Sequence, residues 1–366
     1  MADILLISKP VEPPWNDGSK TLVRDLSGGM TRHTPVLLGR RRAVAVPTSR
    51  RVEPWYGASE VGHALSPLAA ARVFARLALG PRIGACWHFF FQPNLRTSSV
   101  ARAVVRGRRM PSVHTVPCAP LGGRFEPSMA FADRTVVLSR HTEALAREGG
   151  VRGVVRIGPA VAPLEVPEER ERAEVRRTWG VPEGVPWVVF PGDLERGDGA
   201  ARLVDSLPRW RDARLGLAFR HKGVATRAAA EALRVQAERL GVERRIDWIG
   251  ETPAIHAVLG AADIVALPSR DLGAKVDLPI VLIEAMWRAR PIVVAAQSAA
   301  EELCEDGGAR AVAATPESLV DAISHWLDDD DARRAAGARA RRCAAQRFHP
   351  SVMAAAYEAL YDEVLR

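Results

Sequence analysis

Short apolar runs recur along this chain, each too continuous to alternate with polar residues and each followed by a stretch long enough for a helix or a loop. A first series comprises ILLI (residues 4–7), TPVLLG (34–39), IGACWHFFF (83–91), PSVHTV (111–116) and RTVVLS (134–139). A second comprises WVVFPG (187–192), RLGLAF (214–219), RIDWIG (245–250), DIVALPS (263–269) and PIVVAA (291–296). Runs of this kind fit strands buried on both faces, and the βα rhythm makes such strands parallel, with a ligand crevice at their carboxyl ends. Between the two series Pro159, Pro163 and Pro167 interrupt the pattern ahead of a new helix, EERERAEVRRTWG, so a linker is expected there. The expected architecture is α/β: two doubly wound domains, residues 1–163 and 164–345, facing each other across a cleft. The closing segment, 346–366, has Val352, Ala355, Ala356, Leu360 and Val364 at helical spacing and is expected to pack back on the first domain.

Composition narrows the function. At 366 residues and 47% apolar, the chain is about twice what one core organises. No apolar run approaches the ~18 to 20 residues that span a bilayer. The start, MADILLISKP, reads as a first strand and not as a secretion signal. Cys86, Cys118, Cys304 and Cys343 are far apart, which argues against a zinc site and a disulfide framework and fits a cytoplasmic protein. Charge is uneven: residues 1–163 hold 23 Lys and Arg against 10 Asp and Glu, whereas the remainder holds 28 against 33. The basic half permits a peripheral contact with an anionic membrane surface or an acidic acceptor. Nucleic acid is not expected as a partner, because aromatics make up only 6% and no basic motif is interleaved with them.

The stretch LGAKVDLPIVLIEAMWRARPIVVAA (272–296) carries the most chemical information. A turn with Asp277 as a plausible cap and Pro279 in the first turn leads into a helix that ends before Pro291. Glu284 sits among Ile280, Val281, Leu282, Ile283, Ala285 and Met286. A carboxylate in so apolar a helix needs donors, and a ribose diol supplies two adjacent hydroxyls; Arg288 or a backbone cap is the structural alternative. Free amides at the helix start, around Leu278 to Ile280, attract phosphate.

On these residues the chain resembles a retaining glycosyltransferase of the GT-B fold, with two Rossmann-like domains, from the large family that includes sucrose synthases and bacterial mannosyltransferases. PPWNDGSKTLVRDL (13–26) resembles the glycine-containing loop and helix after the first strand, and residues 132–161 the end of the N-terminal domain. IDWIGETPAIHAVLGAADIVALPS (246–269) and LPIVLIEAMWRARPIVV (278–294) resemble the core of the C-terminal domain. The resemblance implies transfer of a sugar from a nucleoside diphosphate donor with retention of configuration. It implies no cofactor and no metal, and an acceptor that is a small molecule, a glycan or a lipid-linked hydroxyl. Donor contacts are implied at Gly18, Arg196, Gly250, Lys275 and Val276 to Ile280, with the ribose on Glu284. His114 occupies a position where relatives line the acceptor side with histidine, and His88 is a second choice.

Two departures stand out. The family signature has two glutamates, the second falling on Glu284 and the first on Val276, so Asp277 or Lys275 is the candidate for the missing sugar contact. The family also uses an Arg and a Lys early in the second domain for the diphosphate. FPGDLERGDG offers only Arg196, and Arg220 with Lys222, after RLGLAF, are the expected replacements. The alternatives are a degenerate nucleotide-binding protein on this fold and a nucleotide-sugar epimerase.

Overall fold

A computed structural model of the chain describes residues 1–13, 15, 17–40, 51–57, 65–272, 276–313 and 315–366. They fall into two compact units: residues 1–162, 274–280 and 347–366 form the first, and residues 163–273 and 281–346 the second.

In the first unit β1 (Asp3–Ile7), β2 (Thr34–Arg40), β3 (Arg51–Tyr56), β4 (Cys86–Phe90), β5 (Ser112–Val116), β6 (Arg134–Val137) and β7 (Val154–Arg156) make one sheet. Its order is β3-β2-β1-β4-β5-β6-β7, with every pairing parallel. Connections run through α1 (Gly18–Gly29), α2 (Pro67–Leu79), α3 (Leu95–Arg108) and α4 (Arg140–Glu148). Strand order reverses between β1 and β4, where Ile4 to Ile7 align with Cys86 to Phe89. Asp17 caps α1 by accepting from the Ser19 amide at 2.9 Å. Burial works against ionisation of Asp17, but the Lys9 ammonium and hydrogen bonds from Lys9 and Ser19 outweigh it and hold the carboxyl at about 2.

The second unit repeats the plan with β8 (Trp187–Pro191), β9 (Arg214–Ala218), β10 (Ile246–Gly250), β11 (Ile264–Leu267), β12 (Ile292–Ala295) and β13 (Ala309–Val312). The order is β10-β9-β8-β11-β12-β13, again parallel throughout, so the switch point lies between β8 and β11. Its helices are α5 (Glu169–Thr178), α6 (Gly199–Ser206), α7 (Val224–Leu240), α8 (Ile255–Ala261), α9 (Ile280–Trp287), α10 (Pro316–Asp328) and α11 (Asp330–Arg347). At the amino end of β11, Asp263 accepts from the Trp187 amide at 2.8 Å and from Arg172 and Arg176 at 3.0 Å each. These bonds fix α5 at the end of the sheet opposite the crevice.

The last helix, α12 (Pro350–Val364), belongs to the first unit. The Glu358 carboxylate, buried, accepts from the backbone amides of Thr31, Arg32 and His33 at 2.8, 2.5 and 3.0 Å. His88, on β4, binds the Tyr361 hydroxyl through Nδ1 at 2.6 Å and Thr115 Oγ1 through Nε2 at 2.7 Å. Thr115 meets the Tyr357 hydroxyl at 2.8 Å. Every polar atom of this chain of contacts has a partner, so it joins helix to sheet without an uncompensated desolvation cost.

Candidate functional site

In a doubly wound sheet the ligand crevice opens where adjacent strands diverge, and in the second unit that is the carboxyl end of β8 and β11. The loop after β8, GDLERGDG, presses against the loop after β11. A Cβ on Gly199 would stand 2.2 Å from Ser269 Oγ, and one on Gly197, whose φ is +67°, would stand 2.8 Å from the Asp271 carbonyl. Only glycine allows this approach, which brings the start of α6 against Ser269. The Ser269 hydroxyl is itself buried and has no hydrogen-bond partner.

Beside that loop stands a four-charge cluster. Asp193, buried, has its carboxylate 2.5 Å from Lys222 Nζ and 3.4 Å from an Arg220 guanidinium nitrogen. Glu195 lies 3.5 Å from the same ammonium and accepts from Thr226 Oγ1 at 3.1 Å. Thr226 Oγ1 in turn accepts from the Lys222 amide at 3.2 Å. Arg220 and Lys222, expected as diphosphate ligands, are therefore brought together at the carboxyl end of β9. They are held there by two acids, of which Asp193 escaped sequence reasoning. An aspartate immediately after a buried strand was the available signal. Arg196 is exposed on the same loop. Gly250 ends β10 with φ +66°, and a Cβ there would stand 3.3 Å from His221 Nε2.

Glu284 lies on α9 between Ile283 and Ala285, each with no exposed surface, and its own side chain is 10% exposed. Its Oε1 is 3.1 Å from Nε2 of His256 on α8, a half-exposed imidazole that no spacing rule singles out. An ionised carboxylate offers about four lone-pair positions, so a histidine beside one oxygen does not exhaust its capacity to accept from a diol.

The remaining expected residues divide differently. Lys275 lies outside the described residues. Val276, Leu278 and Ile280 are buried, and Val276 Cγ2 and Ile280 Cγ1 would stand 3.1 and 3.3 Å from a Cβ on Gly18. A side chain at Gly18 would thus crowd the residue standing at the first signature position. Asp277 does not turn its carboxylate to the start of α9, as a cap would. Its amide donates to the Pro117 carbonyl at 2.8 Å, and its carboxylate accepts from the Ala119 amide at 3.1 Å and from Ser139 Oγ at 2.8 Å. Burial outweighs these hydrogen bonds and pushes its carboxyl up to about 6. Helix α9 begins at Ile280, so Pro279 precedes the first turn instead of sitting in it.

His114 also departs from expectation. It is the third residue of β5, not a residue at the strand's end, and has no exposed surface. Its ring packs between Phe91 and Phe131, at centroid distances of 4.3 and 4.8 Å, with Nε2 3.0 Å from the Phe91 carbonyl. Desolvation lowers its pKa to about 4, which keeps the ring neutral at physiological pH. His88 is equally buried, within the contacts that hold α12. Among the described residues no three metal-ligating side chains gather, and no helix is long and apolar enough to cross a membrane.

Residues 185–329, which hold this crevice, match the family model described as glycosyl transferases group 1. That stretch resembles a glycosyl transferases group 1 domain. The fold of the whole chain is likewise that of GT-B glycosyltransferases. HepE from Anabaena, solved in complex with UDP-glucose, is 18% identical over 99% of this chain and 100% of its own, with a TM-score of 0.76. Sucrose-phosphate synthase from Thermosynechococcus elongatus is 16% identical over 100% and 99%, with a TM-score of 0.77. WaaG, a glycosyltransferase of lipopolysaccharide biosynthesis, is 14% identical over 98% and 99%, with a TM-score of 0.70. No curated protein matches the chain in sequence.

Proposed function

We propose that the protein transfers a sugar from a nucleoside diphosphate donor to an acceptor hydroxyl, with retention of configuration. One observation carries the reading: within the stretch that resembles a group 1 domain, a nearly buried carboxylate, Glu284, stands on the helix that follows β11, as recognition of a ribose diol requires. HepE, whose fold this chain shares, was solved with UDP-glucose, which supports a uridine nucleotide as the first donor to try.

In this reading the bond between the sugar's anomeric carbon and the diphosphate breaks, and the acceptor oxygen bonds to the same face of that carbon. The acceptor's proton passes to the departing phosphate oxygen. No protein nucleophile is needed, so the work of the chain is to hold charge in place. Arg220, Lys222 and the amides opening α9 face the negative charge that develops on the diphosphate, while Glu284 fixes the ribose. His114, enclosed between Phe91 and Phe131 with no exposed surface, is left out of the chemistry. The acceptor is a small molecule, a glycan or a lipid-linked hydroxyl, and the setting is cytoplasmic.

A degenerate nucleotide-binding protein is the second reading, favoured by Val276, an aliphatic residue at a signature position that otherwise holds a carboxylate. Incubation with a panel of nucleotide sugars, with and without acceptor extracts, separates the two. Donor-specific release of nucleoside diphosphate that rises with acceptor is expected. Nucleotide binding without release from any donor would leave the second reading standing.

A further inference from the structure

Residues 61–125 contain nine arginines and not one aspartate or glutamate. Strands β4 and β5 within this stretch are buried, so its charge is carried chiefly by α2, α3 and their connections. The two helices lie side by side in the first unit. Arg108, at the end of α3, donates to the carbonyls of Ala78 and Gly80 at 3.4 and 2.9 Å, and Arg82 donates to the Arg108 carbonyl at 2.7 Å. Those arginines pin the helix ends together. Arg102 likewise donates to the carbonyls of Ser128 and Ala130 at 2.7 and 3.1 Å, whereas Arg72, Arg76, Arg96, Arg106, Arg109 and Arg124 are exposed.

On α2 the inner face is Ala69, Val73 and Leu77, all buried. The outer face repeats at three and four residues as Leu68, Ala71, Arg72, Ala75, Arg76 and Leu79, every one of them exposed. Leu68 and Leu79 are 61% and 86% exposed. On α3, Leu95 and Val100 are 48% and 47% exposed, beside Arg96 and Arg106. Single exposed leucines are ordinary, but here four large aliphatic side chains share two neighbouring helices with an uninterrupted positive field.

We propose that the outer face of α2 and α3 docks on an anionic lipid surface. Arginine and aliphatic side chains interleaved on one face match the two halves of such a surface: headgroup phosphates attract the guanidinium groups, and the leucines enter the boundary below them. Long arginine stems let both happen at one depth. A nucleic acid would satisfy the arginines but not the leucines. Among the described residues the large exposed apolar side chains include no aromatic on which a base could stack. The surface stands on its own charge and exposure and does not depend on which sugar is transferred.

The test is co-sedimentation of the full chain with phosphatidylcholine vesicles and with mixed phosphatidylglycerol–phosphatidylcholine vesicles, in parallel with fluorescence anisotropy on single-stranded RNA. Binding is expected to the mixed vesicles alone and to weaken with salt. Leu68→Ser with Leu79→Ser should lower vesicle affinity about tenfold or more, and Arg96→Glu and Arg106→Glu about fivefold each. All four positions are exposed, so thermal melting should not change. Arg177→Glu and Arg239→Glu, exposed in the second unit, should leave vesicle binding as it is. Vesicle binding that ignores the leucine changes, or that the second-unit changes reduce equally, would overturn the proposal. So would RNA binding in the absence of vesicle binding.

Discussion

The carboxylate of Glu284 and the imidazole of His256 stand 3.1 Å apart, one nearly buried on α9 and the other half-exposed on α8. The pair gives the Glu284 carboxylate a fixed orientation, because a histidine beside one oxygen restricts rotation of the group. His256→Ala should therefore weaken nucleoside diphosphate binding by about 1 kcal/mol without direct loss of a ribose contact, and His256→Gln should recover part of it. Calorimetric titration of both variants checks this, and unchanged affinity in each would detach His256 from the site.

The cluster around Asp193 yields predictions of opposite sign. Lys222→Ala removes a charge-assisted contact and should cost nucleoside diphosphate affinity about 1 to 3 kcal/mol. Asp193→Asn instead relieves Arg220 and Lys222 of a competing carboxylate and should tighten binding by about 1 kcal/mol. Equilibrium titration of the two variants decides; weakening in both would make Asp193 a contributor to the site's shape and not a counter-ion to its cations.

His114 makes stability depend on pH. Its pKa is about 4 when folded, against 6.5 for an ordinary histidine. The depressed value means that stability is fully present above pH 6.5 and is lost as pH falls towards 4, because only the unfolded chain takes up the proton in that window. The loss amounts to about 3 kcal/mol across the window. His114→Phe should flatten that part of the profile, read from denaturant melts between those limits. An unaltered profile would place the titration elsewhere.

Asp277 acts in the reverse direction. Its carboxyl, raised from 3.8 to about 6, makes the folded state favour the proton, so stability falls as pH rises through that interval. Asp277→Asn keeps an acceptor for the Ala119 amide and should remove the fall; melts at either end of the interval test it.

Glu358 is the strongest single attachment of α12. Replacing it by Ala leaves three backbone amide donors without their carboxylate and should cost the first unit about 3 kcal/mol. Loss of less than about 1 kcal/mol in a chemical melt would show that the aromatic hydroxyls of α12 suffice.

Legibility in the sequence followed burial. Every strand read from an apolar run is a strand, and the strands that were missed, β3, β7 and β13, all lie at sheet edges. An edge strand needs less apolar sequence: RVEPWY even carries a proline, and ARAV an arginine. The site was half legible. Glu284 stood out because a carboxylate in an apolar helix is an anomaly in one dimension. Asp193 and His256 did not, since each acquires its meaning from a partner distant in sequence. His114 misled because a histidine in a strand looks the same whether its ring faces a crevice or, as here, two phenylalanines.

The most direct measurement is a titration of wild type and Glu284→Gln with a ribonucleoside diphosphate and its 2′-deoxy counterpart. If the carboxylate accepts both ribose hydroxyls, the amide substitution should cost the ribonucleotide about 1.5 to 3 kcal/mol and the deoxynucleotide distinctly less. Equal losses for the two ligands would contradict the account, since they would mean that Glu284 serves the protein and not the nucleotide.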